Sequence, residues 1–441
     1  MAQAQGSGYN VDGEARSMPH AGGSAGSSRW QIWPIVLLTC SYLLFPPEVR
    51  LNAGGLNFPL YRLLIVLMLP VTLMRVATGG LRLAFADLCV LVSALWMIIS
   101  FVAYYGPAGG FVRSIALTID MAGSYFLARV SIRTPNDFRR LLIILAPILL
   151  LAGLELLVES LARKLIVRPA FVAIFGNLLA YNGGEAVGEL NLRQDLRLGL
   201  LRAFGSFSHP ILAGVVLTSS FAWFWSSGIR SWPKWVGLAA AFLGLFSLSS
   251  AAFLAIFIAI AIFVGDAFRK RIPGMTWWTI SAFIIIIMTF LQVASKNGVV
   301  PILIRMTLDP QTGFYRLIIW EYGWKSIMHY PLIGIGFTPY ERASFLSTSI
   351  DAHFLLLGVR HGIVAPLALF AGAVTTLIVL GKNVNRQPSV DRRCLFGVNI
   401  SLLIMLITSM TVTFFSEANI WFMSAFAIAV SFSVYRVEKV T

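Results

Sequence analysis

Charge is scarce in this sequence. Only 12% of its 441 residues are charged, 19 acids stand against 34 bases, and 58% of the chain is hydrophobic. A soluble domain of this length exposes far more charge, so that class is excluded. Cysteine is nearly absent too. Cys40, Cys89 and Cys394 stand far apart, in or beside apolar runs, and no CxxC or Cys/His spacing is present. That excludes a zinc site or a disulfide framework and leaves packing residues. There is no internal repeat, no heptad and no nucleotide-binding glycine pattern. Gly334-Ile335-Gly336 lacks the Lys-Ser/Thr of a phosphate loop and reads as a turn. The formal net charge of +15 would suggest nucleic acid in a soluble protein. Here the bases lie mostly between apolar runs, where they orient helices, and no nucleic acid is expected.

What is present is one long apolar run after another, from Trp33 to the end. A bilayer core takes about 20 apolar residues per helix, and its backbone must satisfy its own hydrogen bonds. Runs such as Phe283–Ile287 do not alternate, so the spans are helices and not barrel strands. The fold class is therefore all-α, a polytopic transmembrane bundle of about 12 helices: 31–46, 58–75, 84–105, 112–128, 140–158, 208–226, 235–249, 251–267, 276–294, 354–381, 395–415 and 418–435. The run 235–267 is split at Ser247-Leu248-Ser249-Ser250, where small polar residues permit a tight turn. Residues 1–28 read as a disordered cytoplasmic tail and 29–441 as a single transmembrane domain. With the N-terminus inside, every inside segment is basic, for example at Arg75, Arg129, Arg269–Arg271 and Lys382. The positive-inside rule then puts the C-terminus inside as well.

Two outer segments, 159–207 and 295–353, break the pattern of short connections, and long ordered loops are usually functional. Both carry bases on the side where orientation does not call for them. Arg163, Lys164 and Arg168 suit an amphipathic helix on anionic lipid. The arginines nearest helix ends, Arg197 and Arg202 among them, do not fit that reading.

Four features carry chemistry. Arg202-Ala-Phe-Gly-Ser-Phe-Ser-His209-Pro210 enters the sixth helix. Proline suits a first turn, and free amides at a helix start favour anions, so Arg202 there can hold a phosphate; an interfacial anchor is the alternative. Arg316 and Trp320 are four apart and share a helix face. A guanidinium matches phosphate oxygens in bidentate geometry, and Glu321, five residues on, is poorly placed to pair with Arg316. Asp351-Ala352-His353 opens the tenth helix. His353 is a proton-transfer candidate or a structural histidine, and Asp351 either orients it or caps the helix. Arg360, His361 and Glu417 lie in apolar helices, as functional charges or as mutual ion pairs.

Taken in order, these segments resemble the O-antigen ligase and polymerase family of bacterial envelopes. The resemblance spans about 200–370 and rests on Arg202 to Pro210, the Ser247–Ser250 turn, Arg316 to Trp320, His329-Tyr-Pro331-Leu-Ile-Gly334-Ile-Gly336, and Asp351-Ala-His353 followed by Gly362. Many members have His-Asn at the histidine and an arginine after the serine turn; here Phe354 and Ala251-Ala252 stand there. The resemblance implies a C-type glycosyltransferase fold in the bacterial inner membrane, acting at its periplasmic face on glycans linked to undecaprenyl pyrophosphate. It also implies other polysaccharide assembly and export proteins as partners. On it we assign His353 as the catalytic base and Arg202, Arg316, His209, Arg197 and Asp351 to substrate binding, with no metal or cofactor. The expected function is polymerisation of lipid-linked repeat units, with ligation to lipid A-core as the alternative. A transporter is the alternative from another class, but its repeated halves are missing.

Overall fold

The computed structural model describes residues 29–53, 56–78, 81–182, 185–296, 298–305 and 309–435; the tail expected at 1–28 lies outside them. Each expected apolar run contains helix. The chain opens with α1 (Trp33–Leu43), the hairpin β1 (Arg50–Ala53) and β2 (Leu56–Pro59), then α2 (Leu60–Ala77) and α3 (Phe85–Tyr105). Next, α4 (Pro107–Thr118) passes through a π turn, Ile119–Gly123, into α5 (Ser124–Ser131), and α6 (Pro135–Ala162) follows. Among the described residues, seven stretches are long and apolar enough, by length and composition, to cross a membrane: α2, α3, α4 through α5, α6, and three described below.

Between α6 and the next apolar helix lies the segment 159–207. It holds α7 (Val167–Phe175), the hairpin β3 (Leu179–Asn182) and β4 (Glu185–Glu189), and the short pair β5 (Leu196–Arg197) and β6 (Leu200–Leu201). After it come α8 (Pro210–Ser219), α9 (Phe221–Ser226) and α10 (Trp232–Leu243), which tightens into a 3-10 turn over Gly244–Ser247. The serine-rich turn lies where the sequence predicts it, with Leu248 in the left-handed region at φ 46°. Then follow α11 (Ser250–Arg271) and α12 (Trp277–Ala294), two more candidate spans. The segment 295–353 contains α13 (Val299–Arg305) and α14 (Pro310–His329).

The expected helix 354–381 is two. The run 354–381 breaks at Gly362 into α15 (His353–His361) and α16 (Val364–Val384), and only α16 is a candidate span. Gly362 sits at φ +76°, and a Cβ there would lie 1.9 Å from the Leu332 carbonyl oxygen. Ile363 N–H donates to the Pro331 carbonyl at 2.8 Å, so the Pro331–Gly336 segment crosses the break directly. The chain closes with α17 (Ser389–Ser409) and α18 (Ser416–Ser433).

Burial sorts these helices. Every residue from Ile420 to Phe432 in α18 is buried, as befits a helix that is apolar all round and central. No residue of α12 is buried, although it is just as apolar, which places it at the periphery of the bundle. Ion pairs staple the interior. Arg129 on α5 pairs with Asp87 on α3 at 2.9 Å, and Arg62 on α2 pairs with Asp120 in the π turn at 2.6 Å.

Candidate active site

The segment Arg202–Pro210 is held from below by two carboxylates of α6. Glu159 accepts the Gly205 amide at 2.9 Å through one oxygen and the Ile166 and Val167 amides at 2.9 and 3.0 Å through the other. Glu155 accepts the Ser206 amide at 3.0 Å, and the Ser206 hydroxyl lies 2.8 Å from the same oxygen. An acid accepting several buried amides fixes backbone that no secondary structure would otherwise satisfy. Ser208 donates to Glu417 at 2.8 Å, and Arg168 donates to the Ser208 carbonyl at 3.3 Å. Arg168 is only 1% exposed and ion-paired with the equally buried Glu48. This corrects the amphipathic reading: Arg168 is an interior staple, because its acid partner lies far back in the chain at the end of the first apolar run.

His209 caps α8. Its Nδ1 accepts the Ile211 amide at 3.2 Å, and its carbonyl accepts the Leu212 and Ala213 amides at 3.1 and 3.2 Å. Pro210 has no N–H, so the first turn offers no free amide to an anion, contrary to expectation. An accepting Nδ1 places the proton of the neutral ring on Nε2. Burial, and next the Arg202 charge, push His209 down to about 4.

The segments 159–207 and 295–353 meet here. Asp309 caps α14 through the Thr312 amide at 3.3 Å and hydroxyl at 2.6 Å, and it pairs with Arg197 at 3.0 Å. Arg197 also donates to the Leu248 carbonyl of the serine-rich turn at 3.2 Å. Trp320 donates to the Met410 carbonyl at 2.9 Å, locking α14 against the turn before α18. One turn earlier, Arg316 has no hydrogen bond or ion pair among the described residues, and its Nε is buried without a partner. Glu321 pairs instead with Lys325, at 2.7 Å. Arg202 is 8% exposed, its Nε is also unpartnered, and among the described residues its one acid contact is Asp195 at 3.4 Å, itself 57% exposed.

Burial lowers the pKa of Arg202, helped by the charges of Arg197 and Arg316 and opposed by Asp195 and Asp309. Burial lowers Arg316 as well, opposed by Asp351 and helped by Arg197. Five of the six predicted site residues therefore feel one another: Arg197, Arg202, His209, Arg316 and Asp351. Cations in this state gain most from an incoming anion. Among the described residues no group of three or more His, Cys, Asp or Glu is placed to hold a metal ion.

His353 stands apart from that group. It is 5% exposed, with ring centroids of Phe414 at 5.4 Å, Phe354 at 5.6 Å and Phe422 at 5.9 Å. Its Nε2 is buried without a partner. Burial pushes it down to about 4, against a backbone hydrogen bond with Phe414 that favours protonation. Asp351 neither orients it nor caps α15. It accepts from Ser349 at 3.2 Å, and Ala352 is the cap residue.

Arg360, His361 and Glu417 do not pair with one another. Arg360 lies over Phe337 at 4.9 Å, His361 Nδ1 is 3.0 Å from the Ser100 hydroxyl, and Glu417 serves Ser208. The sequence reading passed over Glu155, Glu159, Asp195 and Asp309. For the first two the signal was available, since acids inside an apolar run are functional candidates by default.

No curated protein matches the chain. Residues 235–370 match the family model described as O-antigen ligase; this stretch carries Arg316, Asp351 and His353, while Arg197, Arg202 and His209 precede it. Through that segment, about a third of its length, the chain is similar to the O-antigen ligase family, whose members are glycosyltransferase-like membrane enzymes.

Proposed function

We propose that this protein polymerises oligosaccharide repeat units carried on undecaprenyl pyrophosphate, as a metal-independent, inverting glycosyltransferase at the periplasmic face of the bacterial inner membrane. The observation that carries this reading is the pair Arg202 and Arg316. They come from two distant segments, the charge of Arg316 bears on Arg202, and neither is saturated by acid. A lipid pyrophosphate is the ligand that such a pair fits, because it presents several oxygens in the geometry of the guanidinium fork.

In the proposed reaction the acceptor hydroxyl attacks the anomeric carbon of the donor sugar. The bond from that carbon to the pyrophosphate oxygen breaks, and its electron pair leaves with the pyrophosphate. Arg202 and Arg316 stabilise the charge as it develops, and the His209 Nε2–H donates to a phosphate oxygen. Arg197, braced by Asp309 and Leu248, holds the two segments together and adds to the field. Asp351 accepts from a sugar hydroxyl. The hydroxyl proton passes to His353, which is neutral at neutral pH and has an unused Nε2. Departure of so good a leaving group needs no strong acid, and attack opposite to it inverts the centre.

Purified full-length protein in nanodiscs, given lipid-linked donor, tests this by the length of the glycan formed. His353→Ala with normal turnover would overturn the base assignment. Arg316→Lys is expected to lose roughly 100-fold in turnover, since lysine cannot form the fork. Ligation to lipid A-core is the second reading, favoured by the description of the matching family model. Transfer to added lipid A-core, with no extension of lipid-linked units, would select it.

A further inference from the structure

Beside the candidate active site lies a cavity of about 530 Å³. That volume falls within the range of small-molecule sites, roughly 300–1,000 Å³, and suits a short run of sugars. Its lining joins two cations, Arg113 and Arg360, to the hydroxyls of Thr338, Tyr340, Thr348 and Ser349, and holds no acidic side chain. Neither Arg202 nor Arg316 reaches it.

Both cations rest on one aromatic shelf. The Arg360 guanidinium lies 4.9 Å from the Phe337 ring centroid, and that of Arg113 lies 4.2 Å from Tyr105. The shelf is itself tied together, since the Phe337 amide donates to the Tyr105 hydroxyl at 2.6 Å. Backbone pairing fixes Arg360 further: Ile335 N–H donates to the Val359 carbonyl at 2.9 Å and Gly336 N–H to the Arg360 carbonyl at 3.1 Å. Gly334, at φ +64°, permits this approach, because a Cβ there would meet the Arg360 carbonyl carbon at 2.5 Å. Neither side chain has a hydrogen bond or ion pair among the described residues. Burial pushes Arg360 down to about 10. A desolvated cation on a rigid shelf, with no resident acid, is stabilised by an anion from outside.

We propose that Arg113 and Arg360 form a second anion subsite, which holds a carboxylate or phosphate group of the acceptor glycan. This rests on the glycosyltransferase reading above. The cavity wall runs through Ser349 and Ile350 to the residues just before Asp351 and His353. In-line attack requires the acceptor to approach from the side opposite the pyrophosphate, and this cavity excludes the arginines that take the pyrophosphate. Its hydroxyls and ring faces suit sugar, and its two cations select an acidic one.

The test uses full-length protein in phosphatidylcholine nanodiscs, with trigalacturonate as the acidic probe, maltotriose as the neutral one and inorganic pyrophosphate as the reporter of the first site. Wild type is expected to prefer trigalacturonate at least about tenfold. Arg113→Gln, at an exposed position that folding tolerates, and Arg360→Gln should each remove most of that preference and leave pyrophosphate binding unchanged. Arg360→Lys keeps the charge over Phe337 and guards against misfolding as the cause; it should retain part of the preference. An unchanged preference in Arg113→Gln and Arg360→Gln overturns the subsite. So does a preference abolished by phosphatidylglycerol in the nanodisc, which would make a lipid headgroup the occupant. Loss of pyrophosphate binding in Arg316→Gln with the acid preference intact supports both sites; pyrophosphate binding that survives Arg316→Gln counts against the first reading and leaves the subsite standing.

Discussion

Arg129 and Arg316 are the same residue put to opposite uses. Arg129 is 2% exposed, yet it donates to both oxygens of Asp87 at 2.9 Å, to Ser431 at 3.0 Å and to the Arg82 carbonyl at 2.8 Å. It joins α5 to α3 and α18 and has nothing left to offer a ligand. Arg316 is half-buried and donates to no described residue. What separates a staple from a receptor is thus whether the fold already supplies the counter-charge, and burial alone does not tell them apart.

Substitutions can sharpen that contrast. Arg129→Ala leaves Asp87 buried and unpaired and is expected to cost about 3–5 kcal/mol, read as lost yield and a lower unfolding temperature in detergent. Any folded fraction should turn over normally. Arg316→Lys should do the reverse, with an unfolding temperature close to wild type and the roughly 100-fold loss of turnover given above. If Arg316→Lys instead unfolded the protein, the contrast would collapse. Glu159→Gln lies between the two. It weakens the acceptor of Gly205, Ile166 and Val167, and by loosening the Arg202 segment it should raise the donor KM roughly tenfold with a smaller effect on kcat.

The smallest effect concerns pH. His209 and His353 both fall from 6.5 to about 4 in the folded protein. The unfolded chain therefore binds protons first as pH drops, so stability is unaffected above about 6.5 and declines between 6.5 and 4. Unfolding temperature measured across that window should fall with acid, and His353→Gln should flatten the fall. Turnover limited by a neutral His353 should persist well below pH 6.5 and fail towards 4.

Much of the fold was legible because a bilayer imposes a length rule. Apolar runs had to be helices, and the Ser247–Ser250 turn had to interrupt one. The break at Gly362 was not legible. A lone glycine in an apolar run is ordinary, and only the close crossing of Leu332 explains it. Within the site, the Arg316–Trp320 spacing revealed a shared helix face because it is a local property. The burial of Arg168 and the bridge from Arg197 to Asp309 depend on partners distant in the chain, which one sequence does not pair. Arg113 gave no sign at all, since an arginine just inside a helix start resembles any interfacial anchor.

The acids Asp309 and Asp195 give the site one further property. Asp309 is held ionised chiefly by the Thr312 hydroxyl, stands against Arg197 and bears on both Arg202 and Arg316. On the proposed reading these carboxylates are tethered rivals of the pyrophosphate. At Arg202 an arriving phosphate displaces Asp195, and a departing one is replaced by that tethered neighbour, while Arg316 has no paired anion to give up. Such a site works as an ion exchanger regenerated from within, so strong attraction for the leaving group need not become product inhibition.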